Sequence, residues 1–266
     1  MRLEGKTAIV IGAGQSPGEG MGNGRATVLR FVQEGAKVMA VDRDLPSAEE
    51  TVSMAKQGGG ESFAFEADVT KEATIAAAIG AAQQRWGRID ILHYNVGASI
   101  AGGDAPLLDF TEDAFDRISA INLRGAILAC KHVIPIMRQQ RRGAIVMISS
   151  LAAVENYPFV AYKATKAGMI AFAQQVAIQN AEYGIRANVI LPGLIDTPMA
   201  VDTRARVSGK SRAQVATERD ARVPLRHKMG TAWDVANAAL FLASDEANFI
   251  TGVALLVDGG GALNIG

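Results

Sequence analysis

Short apolar runs alternate with longer Ala-rich stretches along this chain, and that alternation constrains the fold more than any other feature. Thr7–Ile11, Ala36–Val41, Ser62–Glu66, Ile89–Tyr94, Ala144–Ile148, Arg186–Leu191 and Val253–Val257 read as strands. Gly24–Glu34, Ser47–Gln57, Thr74–Arg85, Glu112–Met137, Phe159–Glu182 and Ala232–Ala243 carry helical patterns between them. Near-continuous apolar strands must be covered on both faces, and strands alternating with helices build βαβ units. The expected fold is α/β: a single Rossmann-type, doubly wound parallel sheet with helices on both faces. With 266 residues, 49% of them hydrophobic, there is enough apolar material for one large core, and a wholly disordered chain is excluded. No Pro/Ser-rich linker or fixed-period repeat breaks the pattern, and Gly58-Gly59-Gly60 reads as a turn after a helix. Residues 1–266 are expected to form one dinucleotide-binding and catalytic domain.

Charge narrows the partners. Lys plus Arg and Asp plus Glu are 27 each, so no global field draws the chain to nucleic acid or an anionic membrane. Arg138, Arg141 and Arg142 read as a solvated helix end, and a nucleic-acid role needs a larger basic surface. No uninterrupted apolar run reaches the roughly 18 residues of a membrane span, and no apolar signal core opens the sequence. A cytoplasmic protein is expected, with neither nucleic acid nor membrane as partner. The lone cysteine, Cys130, permits no internal disulfide and sits in an apolar stretch as a small core residue. His93, His132 and His227 are not paired with acids or cysteines at metal-ligand spacing, so no metal site is expected.

The first strand runs into a glycine-rich turn, Gly12 to Gly24, that opens a helix. Glycines let backbone amides approach a diphosphate, and the helix N-terminus adds a favourable dipole. A floppy surface loop has the same composition, but the strand before and helix after are what a dinucleotide turn demands. Asp42 ends the second apolar run, as expected for a carboxylate that binds the adenosine ribose hydroxyls. A carboxylate there repels the 2′-phosphate of NADP, so NAD is favoured. Arg43 follows directly and either offsets that repulsion or is a solvated turn charge, which leaves NADP possible.

Tyr162 and Lys166 stand four apart in a helical stretch and share one face. A phenol with an ordinary pKa of about 10 is a poor base at neutral pH. A neighbouring ammonium is expected to lower that value and make Tyr162 a general acid or base for an alcohol/carbonyl pair. Ser149 and Ser150 end the preceding run, within reach of the reacting oxygen. The segment Asp196–Lys228 is charged and weakly patterned. After a strand in such a fold it reads as a substrate lid, with a plain surface excursion as the alternative.

These motifs, taken together and in order, resemble the classical short-chain dehydrogenase/reductase family over nearly the whole chain, from Lys6 to Gly260. The glycine-rich turn comes first, then Asp68-Val69, similar to the pair that contacts adenine. Asn95-Val96-Gly97 resembles the Asn-Asn-Ala-Gly strand end, and Asn122 the family's active-site asparagine. Ile148-Ser149-Ser150, Tyr162 with Lys166, Pro192-Gly193 and Asp258-Gly259-Gly260 complete the series. The resemblance implies that Tyr162 exchanges the proton with the substrate oxygen and that Ser150 polarises that oxygen. It implies that Lys166 lowers the tyrosine pKa and bonds the nicotinamide ribose, while Asn122 holds a relay water. Ser150 is preferred to Ser149 because its spacings, 28 from Asn122 and 12 to Tyr162, fit the family best. Pro192, Ile195 and Thr197 are expected to bracket the nicotinamide. Gly12, Gly22, Asn23, Asp42, Arg43, Asp68, Val69 and Asn95 are the remaining cofactor candidates.

Three departures stand out. Nine residues separate Gly12 from Gly22, more than the family's turn uses, so the diphosphate contacts are not assigned by the pattern. Ile11 replaces the threonine whose hydroxyl ties the turn to the strand near Asn95, so another group must do that work. Tyr94, preceded by His93, replaces the first asparagine of the strand-end motif and is read as repacking. The expected activity is NAD(H)-dependent interconversion of a secondary alcohol and a ketone. An NADPH-dependent 3-oxoacyl-type reductase and a non-catalytic dinucleotide-binding protein are the alternatives. Arg204, Arg206, Lys210, Arg212, Arg222 and Arg226 outnumber Asp196, Asp202, Glu218 and Asp220 in the lid, which suits an anionic substrate or simply an exposed polar surface. The resemblance also implies a homotetramer built on the two long helices.

Overall fold

The computed structural model describes residues 1–263. In chain order the described strands are β1 (Thr7–Ile11), β2 (Lys37–Asp42), β3 (Ser62–Glu66), β4 (Ile91–Tyr94), β5 (Gly143–Ile148), β6 (Ile185–Pro192), β7 (Ile195–Asp196), β8 (Gly230–Thr231) and β9 (Ala254–Val257). The α-helices are α1 (Asn23–Gln33), α2 (Leu45–Gln57), α3 (Glu72–Trp86), α4 (Glu112–Ser119), α5 (Gly125–Gln140), α6 (Val160–Asn180), α7 (Thr203–Ser208), α8 (Arg212–Asp220) and α9 (Ala232–Ala243). Seven strands form one parallel sheet in the order β3-β2-β1-β4-β5-β6-β9, and β7 and β8 form a separate short pair. The fold is the doubly wound α/β sheet that the alternation of runs implies.

Strand alternation explains the two layers of core. Ile9 and Ile11 of β1 point to a cluster with residues of α3, α5 and α6, while Ala8 and Val10 point to one with residues of α1, α2 and α9. All five residues of β1 are buried, which is why it reads as an unbroken apolar run rather than an alternating one. His93 on β4 packs against Phe31 of α1, with ring centroids 6.0 Å apart. Burial pushes its imidazole down to about 3, so it is a neutral core residue. Cys130 is likewise buried on α5, its thiol pushed up to about 12.

Two stretches differ from expectation. Glu112–Met137 is not one α-helix: a π-helical turn, Ala120–Arg124, separates α4 from α5. A π turn keeps the helix axis running, so apolar periodicity does not show it. By length and composition the whole stretch Glu112–Gln140 could cross a membrane. Here Ala126, Ala129, Cys130, Val133 and Met137 turn to the sheet core instead. The Asp196–Lys228 segment is also more ordered than its sequence implies. A π turn at Pro198–Asp202 leads into α7 and α8, which close over a small apolar cluster of Val201, Val215, Val223 and Met229. Helix α8 starts on a capping box between Ser211 and Gln214, so its N-terminus is fixed by side-chain hydrogen bonds rather than by an apolar stripe.

Candidate active site

The chain winds outward from β1 to β3 on one side and from β4 to β9 on the other. The switch therefore falls between β1 and β4, where a crevice opens beyond the strands' carboxyl ends. Gly12, Asp42, Asn95, Ser150 and Pro192 all lie at or just past those ends. Gly12 has φ +83°, and a Cβ on Gly24 would stand 1.8 Å from the Gly12 carbonyl oxygen, so helix α1 can approach β1 only with glycine there. The threonine missing at Ile11 is replaced in function by Asn95. Its Nδ2 donates to the Gly12 carbonyl at 3.0 Å and its backbone amide to Ile11 at 2.9 Å.

The long glycine turn is folded back on itself. The Gly22 amide donates to Gln15 Oε1 at 3.0 Å, and the Gln15 amide donates to Ser47 Oγ at 3.0 Å. Gly22 thus has its amide engaged within the turn. The N-terminus of α1 has no side-chain cap, and the first amide there to find a backbone acceptor is that of Ala26. Asn23 Oδ1 is buried without a partner. Open amides on a helix N-terminus and an unpartnered side chain beside it fit a bound diphosphate. Asp42 accepts from the Gly14 amide at 2.9 Å and the Asp44 amide at 3.1 Å, which holds its carboxylate at the mouth of the turn. Arg43 is exposed, and its charge acts on Asp68. Asp68 accepts from both the amide and the hydroxyl of Thr70, at 2.9 and 2.7 Å. These bonds, with Lys71 and Arg43, hold its carboxyl below the usual range despite partial burial. Val69 is buried beside Gly125. These residues fit a dinucleotide along the carboxyl edge of the sheet.

On the other side of the switch the fold gathers Asn122, Ser150, Tyr162 and Lys166. Ser149 is buried and donates to the Lys166 carbonyl at 2.7 Å, whereas Ser150 stays partly open and faces Tyr162. Lys166 is 2% exposed; its Nζ donates to the carbonyls of Ile148 at 2.7 Å and Val96 at 3.3 Å. Asn122 lies in the π turn. Its Oδ1 accepts from the Ala98 amide, and its Nδ2 donates to the Ala98 carbonyl and Thr165 Oγ1. Both amide protons are engaged, so only a lone pair of Oδ1 remains on that side chain for a water. Pro192 ends β6, Ile195 is buried against the core, and Thr197 caps the π turn that begins the lid.

Electrostatics corrects one expectation. Tyr162 was expected to titrate low beside Lys166. Instead, the protein packed around it pushes its phenol up to about 12, with the Ser150 hydroxyl and the Arg204 charge pulling the other way. Lys166 is not in hydrogen-bond contact with the phenol; Nζ sits 5.7 Å from the ring centroid and turns to the two carbonyls. Burial brings the ammonium itself down to about 7, so it supplies less positive charge than an exposed lysine.

Three residues at the site carry roles that the sequence reading did not assign. The Asp104 carboxylate accepts from the amides of Ala161 and Tyr162, at 3.0 and 2.9 Å, and so fixes the start of the helix that carries Tyr162. No local pattern links residues so far apart in sequence. Tyr94, read above as repacking, donates to the Ile121 carbonyl at 2.6 Å and so braces the π turn. A Cβ on Gly125 would meet that hydroxyl at 2.4 Å, so the glycine makes room for the contact. Arg219 is buried on α8, where its spacing from Val215 gives the only sequence signal: a charge on the face that the helix turns inward.

The lid meets the glycine turn directly. The Glu19 amide donates to Asp202 Oδ1 at 3.1 Å, and Arg206 donates to the Pro17 carbonyl at 3.1 Å. Arg212 pairs with Asp196 at 2.6 Å and Asp202 at 3.3 Å. Residues of the extended turn thus hold the start of the segment that leads into α7 and α8.

A family model described as enoyl-(acyl carrier protein) reductase matches residues 18–262. A short-chain dehydrogenase/reductase structure from Burkholderia xenovorans superposes with a TM-score of 0.92 at 42% identity, covering 100% of this chain and 99% of that one. The 2-(R)-hydroxypropyl-CoM dehydrogenase of Xanthobacter autotrophicus is 36% identical over 96% of this chain and 97% of its own length. The 3-oxoacyl-[acyl-carrier-protein] reductase of Thermotoga maritima is 35% identical over 98% of this chain and 99% of its own.

Proposed function

The chain belongs to the short-chain dehydrogenase/reductase family of oxidoreductases, and from that membership we propose that it interconverts a secondary alcohol and a ketone with NAD(H). The observation that carries the reading is the meeting of Tyr162, Ser150, Lys166 and Asn122 at one end of the crevice, with Asp42 at the other. A bound nicotinamide supplies or accepts the hydride. Tyr162 donates its proton to the ketone oxygen during reduction and takes one from the alcohol during oxidation. A phenol at about 12 holds its proton at neutral pH, so it suits the donor role, and oxidation gains as pH rises. Ser150 Oγ donates to the same oxygen. In its charged form Lys166 keeps one N–H beyond those given to Ile148 and Val96, which would be free to bond the ribose of a bound nicotinamide.

Asp42 supports NAD over NADP, because a carboxylate held by two amides cannot turn away from a 2′-phosphate without losing both bonds. The likeness to a 3-oxoacyl reductase supports one competing reading, NADPH-dependent reduction of a 3-oxoacyl thioester, which Asp42 opposes. Titration of purified protein with NADH and with NADPH, for the wild type and Asp42→Ala, decides between them. NAD dependence predicts tighter NADH binding, by about tenfold or more, and loss of the preference in the variant. Tighter NADPH binding by the wild type overturns it. A homotetramer is part of the proposal; exposed Phe115, Ile127 and Ile178, on α4, α5 and α6, support packing of those helices between copies.

A further inference from the structure

A cavity of about 330 Å³ lies between α7, α8 and the loop after β4. Arg204, Arg219 and Arg222 line it, with Ile100 from the loop. Of the carboxylates nearby, Asp196 and Asp202 are engaged by Arg212, and Glu218, which also lines the cavity, by Lys210 at 2.6 Å; Glu155 feels the Arg222 charge but forms no ion pair among the described residues. Arg219 is 8% exposed, forms no ion pair and no side-chain hydrogen bond among the described residues, and its Nε is buried without a partner. A guanidinium has five N–H donors and cannot shed its charge in a protein, so leaving it buried and unpaired costs stability. A buried arginine facing two others is worse still. Their mutual repulsion adds to burial in bringing Arg219 down to about 10. Asp196 and Tyr157 offset part of that cost, and a bound anion would offset more of it.

The cavity adjoins the chemistry. The Arg204 charge is felt at the Tyr162 phenol, and Arg219 feels Tyr157. The Tyr157 ring lies 5.6 Å from that of Tyr162, and its hydroxyl is 3.3 Å from Ser99. Ile100, which lines the cavity, follows Ser99, so the cavity is one residue removed from the contacts that join Ser99, Tyr157 and Tyr162.

We propose that this cavity is an oxyanion pocket in which Arg219, with Arg204 and Arg222, binds a carboxylate, sulfonate or phosphate group of the substrate. The alcohol or ketone turned over by this chain is accordingly an anionic one. The alcohol or ketone rests on the oxidoreductase activity proposed above; the anion pocket does not. Arg219 provides the desolvated, directional contact; Arg222, at the exposed rim, attracts the anion before it docks.

The test measures binding of propionate, ethanesulfonate and inorganic phosphate, against neutral propanamide, to the wild type, Arg219→Met and Arg219→Lys. The oxyanions are expected to bind the wild type and propanamide not to bind. Affinity falls about 10- to 100-fold in Arg219→Met and recovers in part in Arg219→Lys. The three anions separate a planar from a tetrahedral preference. Because Arg219 lacks internal partners, Arg219→Met is expected to keep or raise the melting temperature; a large fall would make it a structural residue and overturn the proposal. Equal anion binding by wild type and Arg219→Met would also overturn it. In parallel, turnover of 4-oxopentanoate and of its methyl ester with NADH is compared. The acid-over-ester preference in kcat/KM is expected to fall about 10- to 100-fold in Arg219→Met. Reduction of both compounds with no Arg219-dependent preference sinks the pocket and leaves the oxidoreductase reading standing. Arg219-dependent anion binding without binding of either dinucleotide does the reverse.

Discussion

The candidate proton-transfer residues and the Asp196–Lys228 segment are built by opposite means. Lys166 and Asn122 are nearly or fully buried, as is Ser149 beside Ser150, and they are tied by hydrogen bonds to the end of β5, to the loop after β4 and to α6. The lid rests on a small cluster of its own Val201, Val215 and Val223 with Met229 just beyond it, and it meets the glycine turn through Asp202 and Arg206. Close-packed interiors have one arrangement; partly solvated ion pairs are individually weak and can exchange partners. The candidate proton-transfer residues thus sit in a close-packed region, and the proposed substrate-binding segment in one held by weaker contacts. The extended glycine turn belongs to the second kind, for it is folded by Gln15 and joined to the lid through Asp202.

The sharpest way to break this contrast is Tyr162→Phe. It removes one hydroxyl from the fixed region, and turnover is expected to drop by about 10²–10⁴-fold with little change in NADH binding, read by steady-state kinetics and cofactor titration. If turnover survived, proton exchange would have to reside elsewhere.

Lys166→Met probes the cost of fixing a charge in the interior. The native ammonium sits near 7 against an ordinary value of 10.5. Between those values the unfolded chain binds the proton and the folded one does not, so native stability rises with pH across that window. Below about 7 both states are protonated and the penalty is complete. The methionine variant lacks the penalty, so its stability relative to wild type is expected to be a few kcal/mol more favourable at pH 7 than at pH 10, measured by urea unfolding.

Asp104→Ala tests whether position alone matters. It removes the acceptor for the Ala161 and Tyr162 amides, with an expected loss of about 1 kcal/mol, the range of a helix cap. Turnover is expected to fall about tenfold through misplacement of Tyr162, with part of both losses restored in Asp104→Asn. Chemical denaturation and kcat report the two effects separately.

The smallest effect is expected in the lid segment. Asp202→Ala removes the acceptor of the Glu19 amide and one partner of Arg212, and should cost no more than about 1 kcal/mol of global stability. Faster proteolysis within the Pro198–Arg212 segment and a KM for the cofactor raised about threefold would mark it as a latch between lid and turn. Unchanged protection there would place the lid with the rigid region instead.

How much of this was legible in the sequence follows the same division. Tyr162, Lys166 and Ser150 stand out because a helical spacing and a strand end are local facts. Asp42 stands out because the glycine turn fixes where the second strand must end. The π turn at Asn122 was hidden because it preserves the apolar period on both sides. Asp104 was hidden because its partners are 57 and 58 residues away. The lid helices were hidden because caps and ion pairs leave no stripe to read. The expected fall in the Tyr162 pKa failed for a related reason: spacing puts Lys166 on the same face, but only packing decides where its ammonium points and how much water remains.

By itself the sequence determined the doubly wound sheet and pointed to Asn122, Ser150, Tyr162 and Lys166 as the candidates that the fold brings to one end of the crevice. Each follows from periodicity or from short-range spacing, which the backbone's own geometry converts into position. Only the tertiary structure decided which amides of the glycine turn stay open, what replaces the hydroxyl missing at Ile11, and which lid arginine is buried without a partner. Those depend on contacts between segments distant in the chain, where burial and competing hydrogen bonds set the outcome and no local pattern records it.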